Sequence, residues 1–535
     1  MTSLEQPRSA TPSALNPWLI AAAVTLPTFM EVLDTSIANV ALRYIAGDLS
    51  AAENDSEWVV TSYLAANAII LPISGWLSTY FGRRRYFLLS VAGFTAASLL
   101  CGMATNLEWL IVFRVLQGIA GGGLQPCTQA ILLDTFPKEK RGAAMTAFAV
   151  ATLLAPIVGP TLGGWITDSY SWRWIFFINI PSGVLAFAMC GAVLNDPRYL
   201  KEQRAEFFRK PHRFDFIGLG LITIGVASLE VVLSKGQEWD WLGDPFFRVH
   251  WLIAGVVLGL SLAIWWELSV EAPLVDLRPL ADRNFAVGAV IFFCTYGVLY
   301  GTSTLLPGML ETLFGYDALN AGLVMSPSGL FALMMLPFIG GLLGRGVDAR
   351  WLIVAGALVM ASGCFWFSQT NLFISPGQVV WSRVIRSIGL SILFSPLSVA
   401  AYASLPPRLR GAATGLFALL RSEGGSVGTS MAKTLCDRRA QFHFERLGEW
   451  LDPLNPNLGV SLTELRTTFL GITGDPAKAG TMAWQSVSDL RGQQALSLAY
   501  FDCYWVCGVL AIALIPLVFL MKRSVLERGT HAAAE

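Results

Sequence analysis

Two carboxylates, Glu31 and Asp34, stand three residues apart inside the first long apolar stretch of the chain, Trp18 to Val40. An ionised side chain at membrane depth costs roughly 3 kcal/mol or more by insertion scales, so an acid kept there points to work done on protons or charged solutes. Arg114 lies in the fourth such stretch. At a rise of about 1.5 Å per residue, Asp34 and Arg114 each sit roughly six residues from the outer end of their segments and share a depth. A neighbouring arginine and burial act on such an acid in opposite senses, and a cavity opening alternately to two sides can tip that balance and load or release a proton. Glu31, one turn inward on the same face, is either the carrier itself or a contact for a cationic substrate. The plainer alternative is a buried pair that pins two helices together.

The elements that must position these residues are membrane helices. Hydrophobic residues make up 54% of the 535 positions and charged residues 14%, against about 25% charged in an ordinary soluble protein. Spanning segments need about 20 apolar residues. Beyond 18–40, candidates run over 58–78, 86–104, 109–133, 143–167, 174–194, 214–234, 247–269, 285–308, 319–343, 351–368, 377–402, 411–432 and 498–521, fourteen in all. The chain reads as an all-α polytopic membrane protein. Its first segment, behind a polar tail and without a small-residue cleavage site, reads as a retained spanner.

Loops after even-numbered spanners carry the bases: Arg83, Arg84 and Arg85; Lys138, Lys140 and Arg141; Arg198, Lys201, Arg204, Arg209, Lys210 and Arg213; Arg345 and Arg350; Arg408 and Arg410. The positive-inside rule therefore puts both termini in the cytoplasm and the polar stretch 433–497 outside, as a loop. The 37 basic and 37 acidic residues leave no basic excess for nucleic acid. Eight cysteines lack metal spacing and read as small core residues. His212, His250, His443 and His531 fall in loops or a tail, which excludes a histidine proton relay at membrane depth. No phosphate-binding Gly-x-x-x-x-Gly-Lys-Ser/Thr loop occurs, so neither a nucleotide nor any other cofactor is expected.

An internal repeat fixes the order of the helices. "RVLQGIAGGGLQP" from Arg114 returns as "RVIRSIGLSILFSP" from Arg383, and "KRGAAMTAF" around Arg141 as "LRGAATGLF" around Arg410, both offset by 269 residues. That offset exceeds six helices with their loops and leaves room for two more. The expected division is six spanners in 1–195, a two-helix insert in 196–283 and six spanners in 284–535. Parallel six-helix repeats with a site between them near the midplane are the plan of major facilitator transporters.

Four ordered motifs sharpen this. "GWLSTYFGRRR" at 75–85 resembles the loop motif of the major facilitator superfamily, and "APIVGPTLGG" at 155–164 resembles the antiporter motif of the fifth spanner. "LDTSIANVAL" at 33–42 and "SWRWIFFINIPSG" at 171–183 resemble the fourteen-spanner drug/proton antiporter family of the EmrB/QacA type. The resemblance implies a 6 + 2 + 6 fold, a bacterial inner-membrane location, and export of small amphipathic substrates against protons with a periplasmic adaptor and an outer-membrane channel. It also implies that spanners one and four line one cavity, which makes Asp34 and Arg114 neighbours. A dedicated exporter of a metabolite such as a siderophore or fatty acid, or a proton-coupled importer, shares the scaffold.

Each motif has a mechanical reading. Gly75 and Gly82 frame a tight turn, and Arg83, Arg84 and Arg85 either hold a cytoplasmic gate or simply obey the charge rule. Thr79 stands where the family has an acid, which removes that partner from the gate. Gly159, Gly163 and Gly164 let two backbones approach, and Pro156 and Pro160 are expected to kink the helix. The second-half equivalent from Gly424 lacks both prolines. Glu230, Arg386, Arg421 and Glu423 are further intramembrane charges, either structural pairs or parts of the coupling path. At the repeat offset Glu31 and Asp34 become Tyr300 and Ser303, which assigns proton binding to the first half.

Overall fold

The computed structural model describes residues 16–137, 140–209, 215–270, 273–316, 318–406, 409–452 and 455–523. Lys138, Lys210, Arg213, Arg408, His212 and His531 therefore lie outside the described residues. Twelve described helices are long and apolar enough to cross a membrane, and two further long helices pack among them. In chain order we name them α1 (Pro17–Asp48), α2 (Trp58–Phe81), α3 (Arg83–Gly102), α4 (Leu107–Thr135), α5 (Arg141–Ser169), α6 (Trp174–Val193) and α7 (Phe216–Lys235). The rest are α8 (Arg248–Ser269), α9 (Arg283–Phe314), α10 (Asn320–Gly344), α11 (Ala349–Ser368), α12 (Pro376–Tyr402), α13 (Arg410–Gly448) and α14 (Pro476–Val518).

The sequence starts these helices with side chains that satisfy the first free amides. Pro17 opens α1 behind Asn16, whose side chain accepts from the Trp18 amide at 3.0 Å. Asn106 does the same for α4 and Asp282 for α9. α12 begins with Pro376 inside a capping box of Ser375 and Gln378. The α2–α3 turn is a single residue, Gly82 at φ +87°, a left-handed conformation that glycine adopts without strain.

α1 packs on α5 and α6, α2 on α4, and α3 on α4 and α6. The last six helices repeat this plan, with α9 on α13, α12 on α10 and α11, and α14 on α11 and α13. The two sets meet where α13 crosses α2 and α4 and where α5 meets α10 and α12. α7 pairs with α8 and lies on α2 and α13, along the seam. Behind that seam Phe285, Phe292, Phe394 and Phe417 are buried, with the rings of Phe292 and Phe417 edge-on at 4.2 Å. Outward faces carry exposed Trp251, Leu268, Phe338 and Trp351, side chains suited to hydrocarbon.

Two sequence expectations need correction. The stretch 433–497 is not a loop: α13 continues for 39 residues, a separate helix spans Pro456–Thr473, and α14 begins at Pro476. Polar residues there remove the apolar signal without removing helix propensity, so a hydropathy reading cuts the helices short. Pro156 and Pro160 both lie within the single helix α5, so any bend they cause is made without ending the helix.

Candidate functional site

Asp34 and Arg114 meet at the core of the first six helices. Both are buried, and an Arg114 Nη lies 2.5 Å from Asp34 Oδ2. The other carboxylate oxygen accepts from Gln117 Nε2 at 3.0 Å and from Asn179 Nδ2 at 2.7 Å. Arg114 Nε donates to the Val59 carbonyl at 3.0 Å, and an Nη donates to Gln117 Oε1 at 2.8 Å. The guanidinium stacks on Tyr63 at 4.3 Å and reaches the Phe176 ring at 5.6 Å. Four helices contribute, with α2 supplying Val59 and Tyr63 and α6 supplying Asn179. This acid is the one sequence reasoning put first; both of its oxygens accept from fixed donors, while the second Nη of Arg114 is buried without a partner.

Glu31, one turn away, is placed differently. Its Oε1 accepts from Asn67 Nδ2 at 3.1 Å and Gln125 Nε2 at 3.2 Å, while Oε2 is buried without a partner. Glu31 makes no ion pair among the described residues. From the opposite set of helices, Arg421 on α13 acts electrostatically on Glu31 and on Tyr300. The Arg421 guanidinium lies 5.4 Å from the Tyr296 ring and 5.6 Å from the Phe148 ring, with one Nη unpartnered. The centre of the protein thus holds an acid from α1 and a base from α13 among the aromatic rings of α5 and α9.

The arginine-rich end carries a lock. Asp134, at the end of α4, binds Arg83 and the Tyr199 hydroxyl, and accepts from Arg410 on α13 at 3.1 Å. Arg84 uses its amide on Asp196 at 2.8 Å and its guanidinium on the Gly191 carbonyl at 2.7 Å, while Arg85 is exposed. Beside the lock α2 crosses α13 with backbones touching: a Cβ on Gly75 would stand 2.8 Å from the Gly411 carbonyl carbon. Asp134 was missed in the sequence because the expected acid was sought at Thr79. Its signal was an isolated aspartate in the last turn of an apolar helix, next to the basic cluster.

Along α5, Gly159 sits on Ser36 and Gly163 on Ile37, where added Cβ atoms would come within 2.5 and 3.1 Å. Pro160 lies between them, half-buried in the same helix, and the Gly164 carbonyl accepts from Thr167 at 3.0 Å. The glycines of the fifth helix therefore hold α5 against α1, two residues from Asp34. At the end opposite the lock, Lys235 of α7 is buried between Glu57 at 3.0 Å and Glu238 at 2.6 Å, and Lys433 of α13 reaches Glu57 at 3.8 Å. Thr61 and Ser234 hydroxyls lie 2.5 Å apart nearby.

A family model described as Major Facilitator Superfamily matches residues 24–429, which include most of α1, all of α2 to α6 and the whole centre. The chain belongs to the major facilitator superfamily. It is 35% identical to the "Multidrug export protein EmrB" of Escherichia coli K12, over 94% of each chain. It is 36% identical to the "Fatty acid resistance protein FarB" of Neisseria gonorrhoeae, over 93% of this chain and 94% of that one. Among solved structures it shares the fold of the proton:xylose symporter XylE, with a TM-score of 0.59 at 14% identity over 94% of this chain and 95% of that one. It is thus a multi-pass membrane protein of a transporter family.

The remaining charges of this major facilitator protein do not pair as the sequence allowed. Glu230 and Arg386 do not meet. Glu230, on α7, accepts from Ser426 at 3.0 Å and faces Glu423 on α13, both of whose oxygens are buried without a donor. Arg386, on α12, lies instead beside Tyr504 on α14. Sequence reasoning also missed the neutral amides Asn67, Gln117, Gln125 and Asn179, which decide how the two acids of α1 differ. Their signal was amides inside apolar helices, where each must find a buried partner.

Proposed function

We propose that this protein exports small amphipathic organic compounds, drugs among them, across a bacterial inner membrane in exchange for protons. Glu31 is the proton-carrying group, and the Asp34–Arg114 pair is the anchor that holds α1, α2, α4 and α6 in register. The observation that carries this reading is the contrast between the two acids. Asp34 has a cation and two amide donors, whereas Glu31 has two neutral donors on one oxygen and none on the other, in view of Arg421. A buried carboxylate without a cation is costly, and binding a proton removes that cost while giving the bare oxygen a hydrogen to donate. A cationic cargo arriving at the same place would compete with the proton, which is the elementary requirement for exchange. The likeness to a protein named for multidrug export supports the direction and the cargo class.

In this reading the helices of 1–195 and 284–535 are two bundles that rock about the centre, with 196–283 an insert along their seam, and both termini are cytoplasmic. Asp134 with Arg83 and Arg410 closes the cytoplasmic side, and Gly75, Gly82 and the α5 motif of Gly159, Pro160, Gly163 and Gly164 permit the close crossings that closure needs. From residue 433 onward α13 projects for 16 residues, about 24 Å at helical rise. With Pro456–Thr473 and the start of α14 it presents exposed Trp450, Val460, Ile472 and Trp484, a periplasmic element suited to an adaptor leading to an outer-membrane channel.

A second reading, export of a fatty-acid-like anion, is favoured by the unpartnered Nη of Arg421 at the centre and by the likeness to FarB. Purified protein in proteoliposomes under an imposed pH gradient separates the possibilities, with cargo movement and lumenal pH read together. Opposite fluxes of a cationic dye and protons, lost in Glu31→Gln and kept in the Asp34→Asn/Arg114→Gln double variant, are the expected result. Coupled flux that survives in Glu31→Gln removes Glu31 as carrier, and cargo movement indifferent to the pH gradient removes the antiport.

A further inference from the structure

The 269-residue repeat extends from sequence to hydrogen bonding, and one node has lost its balance of charge. Arg114 and Arg383 are counterparts, as are Val59 and Ser328. Arg114 Nε donates to the Val59 carbonyl at 3.0 Å, and Arg383 Nε donates to the Ser328 hydroxyl at 3.0 Å. Around this shared frame the chemistry differs. The counterpart of Asp34 is Ser303, and the counterpart of Gln117 is Arg386. Where the first half has one base, one acid and one amide, the second has two bases and no acid.

Arg383 is 6% exposed and Arg386 4%, and one Nη of each is buried without a partner. Neither joins an ion pair among the described residues. Both line a small cavity of about 10 Å³, bordered by Leu306 of α9, Gly363 and Phe367 of α11, and Tyr504 of α14. Gly363 seats α11 directly on the α12 backbone, since a Cβ there would stand 2.7 Å from the Arg386 amide nitrogen. The Tyr504 hydroxyl is committed to the Thr302 carbonyl at 3.1 Å, so it brings no negative charge. Two guanidinium groups three residues apart repel one another and are costly to bury without a counter-charge. The space between their free nitrogens takes one water-sized occupant, which excludes an organic cargo.

We propose that this cavity inside the last six helices binds a small inorganic anion of the chloride class, held by Arg383 and Arg386 in the role that Asp34 plays in the first half. The anion is structural: it ties α12 to α9, α11 and α14, as Asp34 ties α1 to α4 and α6. Neither Glu31 nor Arg421 lines this cavity.

The test is thermal unfolding of the purified full-length protein in detergent, with chloride exchanged for gluconate at constant ionic strength. The expected result is a midpoint that rises by roughly 1 °C for each tenfold increase of chloride above half-saturation. Arg386→Gln, which restores the first-half pattern, is expected to lose that dependence. Ser303→Asp, which supplies the missing acid from the chain, is expected to lose it while keeping the high midpoint in gluconate. A native midpoint equal in the two salts overturns the proposal, as does undiminished dependence in both variants. Equilibrium dialysis of the native protein against radioactive chloride needs no variant: saturable binding near one per chain supports the site, and binding that never saturates refutes it.

Discussion

Replacing Asp34 by alanine tests whether the first node is an anchor. The change leaves Arg114, fully buried and 2.5 Å from its only acid, without a counter-charge. Removing one partner of a buried ion pair costs about 3–5 kcal/mol. Gln117 and Asn179 also lose their common acceptor, which keeps the expectation at the upper end of that range, since a buried unsatisfied amide costs about 1–3 kcal/mol and can relax only in part. Asparagine at the same position keeps the shape and one acceptor oxygen, so about half of the loss is expected. The Asp34→Asn/Arg114→Gln double variant leaves no uncompensated charge and is expected to recover about 3 kcal/mol relative to Asp34→Ala, a coupling within the range found for contacting residues. Unfolding of the purified proteins in one detergent, followed by loss of the monodisperse peak on heating, gives the order native, double variant, Asp34→Asn, Asp34→Ala. A loss under 1 kcal/mol in Asp34→Ala, or a double variant no better than the alanine form, would refute the anchor.

Asp134→Asn should loosen the arginine-rich end by removing the acid shared by Arg83, Arg410 and Tyr199; Cys127, buried beside Arg83, should then react with a permeant maleimide about tenfold faster, the equivalent of about 1.4 kcal/mol of opening. Gly75→Val should fold but transport poorly, because its side chain must displace the Gly411 backbone, and a spin-label distance across α2 and α13 should lengthen at that end. Asp348, in the turn before α11, is pushed up by burial but held below its ordinary 3.8 overall by hydrogen bonds and charge from Arg350 and by the charge of Arg523. Its folded value being depressed, its contribution is present above that ordinary value and lost as pH falls through the folded one; Asp348→Asn should therefore cost about 1 kcal/mol at pH 7, with the gap to native closing below about pH 4.

The membrane character and the number and order of helices were legible in the sequence, because apolar length is a property of one segment, and the neighbourhood of Asp34 and Arg114 followed from the family resemblance. What stayed illegible depends on which faces meet. Glu31 and Asp34 look alike in the sequence, and only the amides of α2, α4 and α6 make one a saturated anchor and the other a half-bonded acid. Asp134 replaced the acid missing at Thr79 from a different helix, which reading position by position cannot find. The helical projection over 433–497 was hidden because the apolar signal that marks a spanner ends at the bilayer while the helix does not.

The repeat explains why the two halves can do different work on one scaffold. Duplication supplies two equivalent arginine nodes, but stability requires each buried guanidinium to be answered by a negative charge. In the first half Asp34 answers Arg114 from within, which frees Glu31, one turn away, from any structural duty and leaves it open to protons. In the second half the position of Glu31 is Tyr300 and that of Asp34 is Ser303, so neither position carries an acid and the half offers aromatic rings and the Arg421 guanidinium instead. In the exchange we propose, a site between the halves has Glu31 on one wall and the aromatic rings with Arg421 on the other, and the charge a cargo brings decides which wall it disturbs.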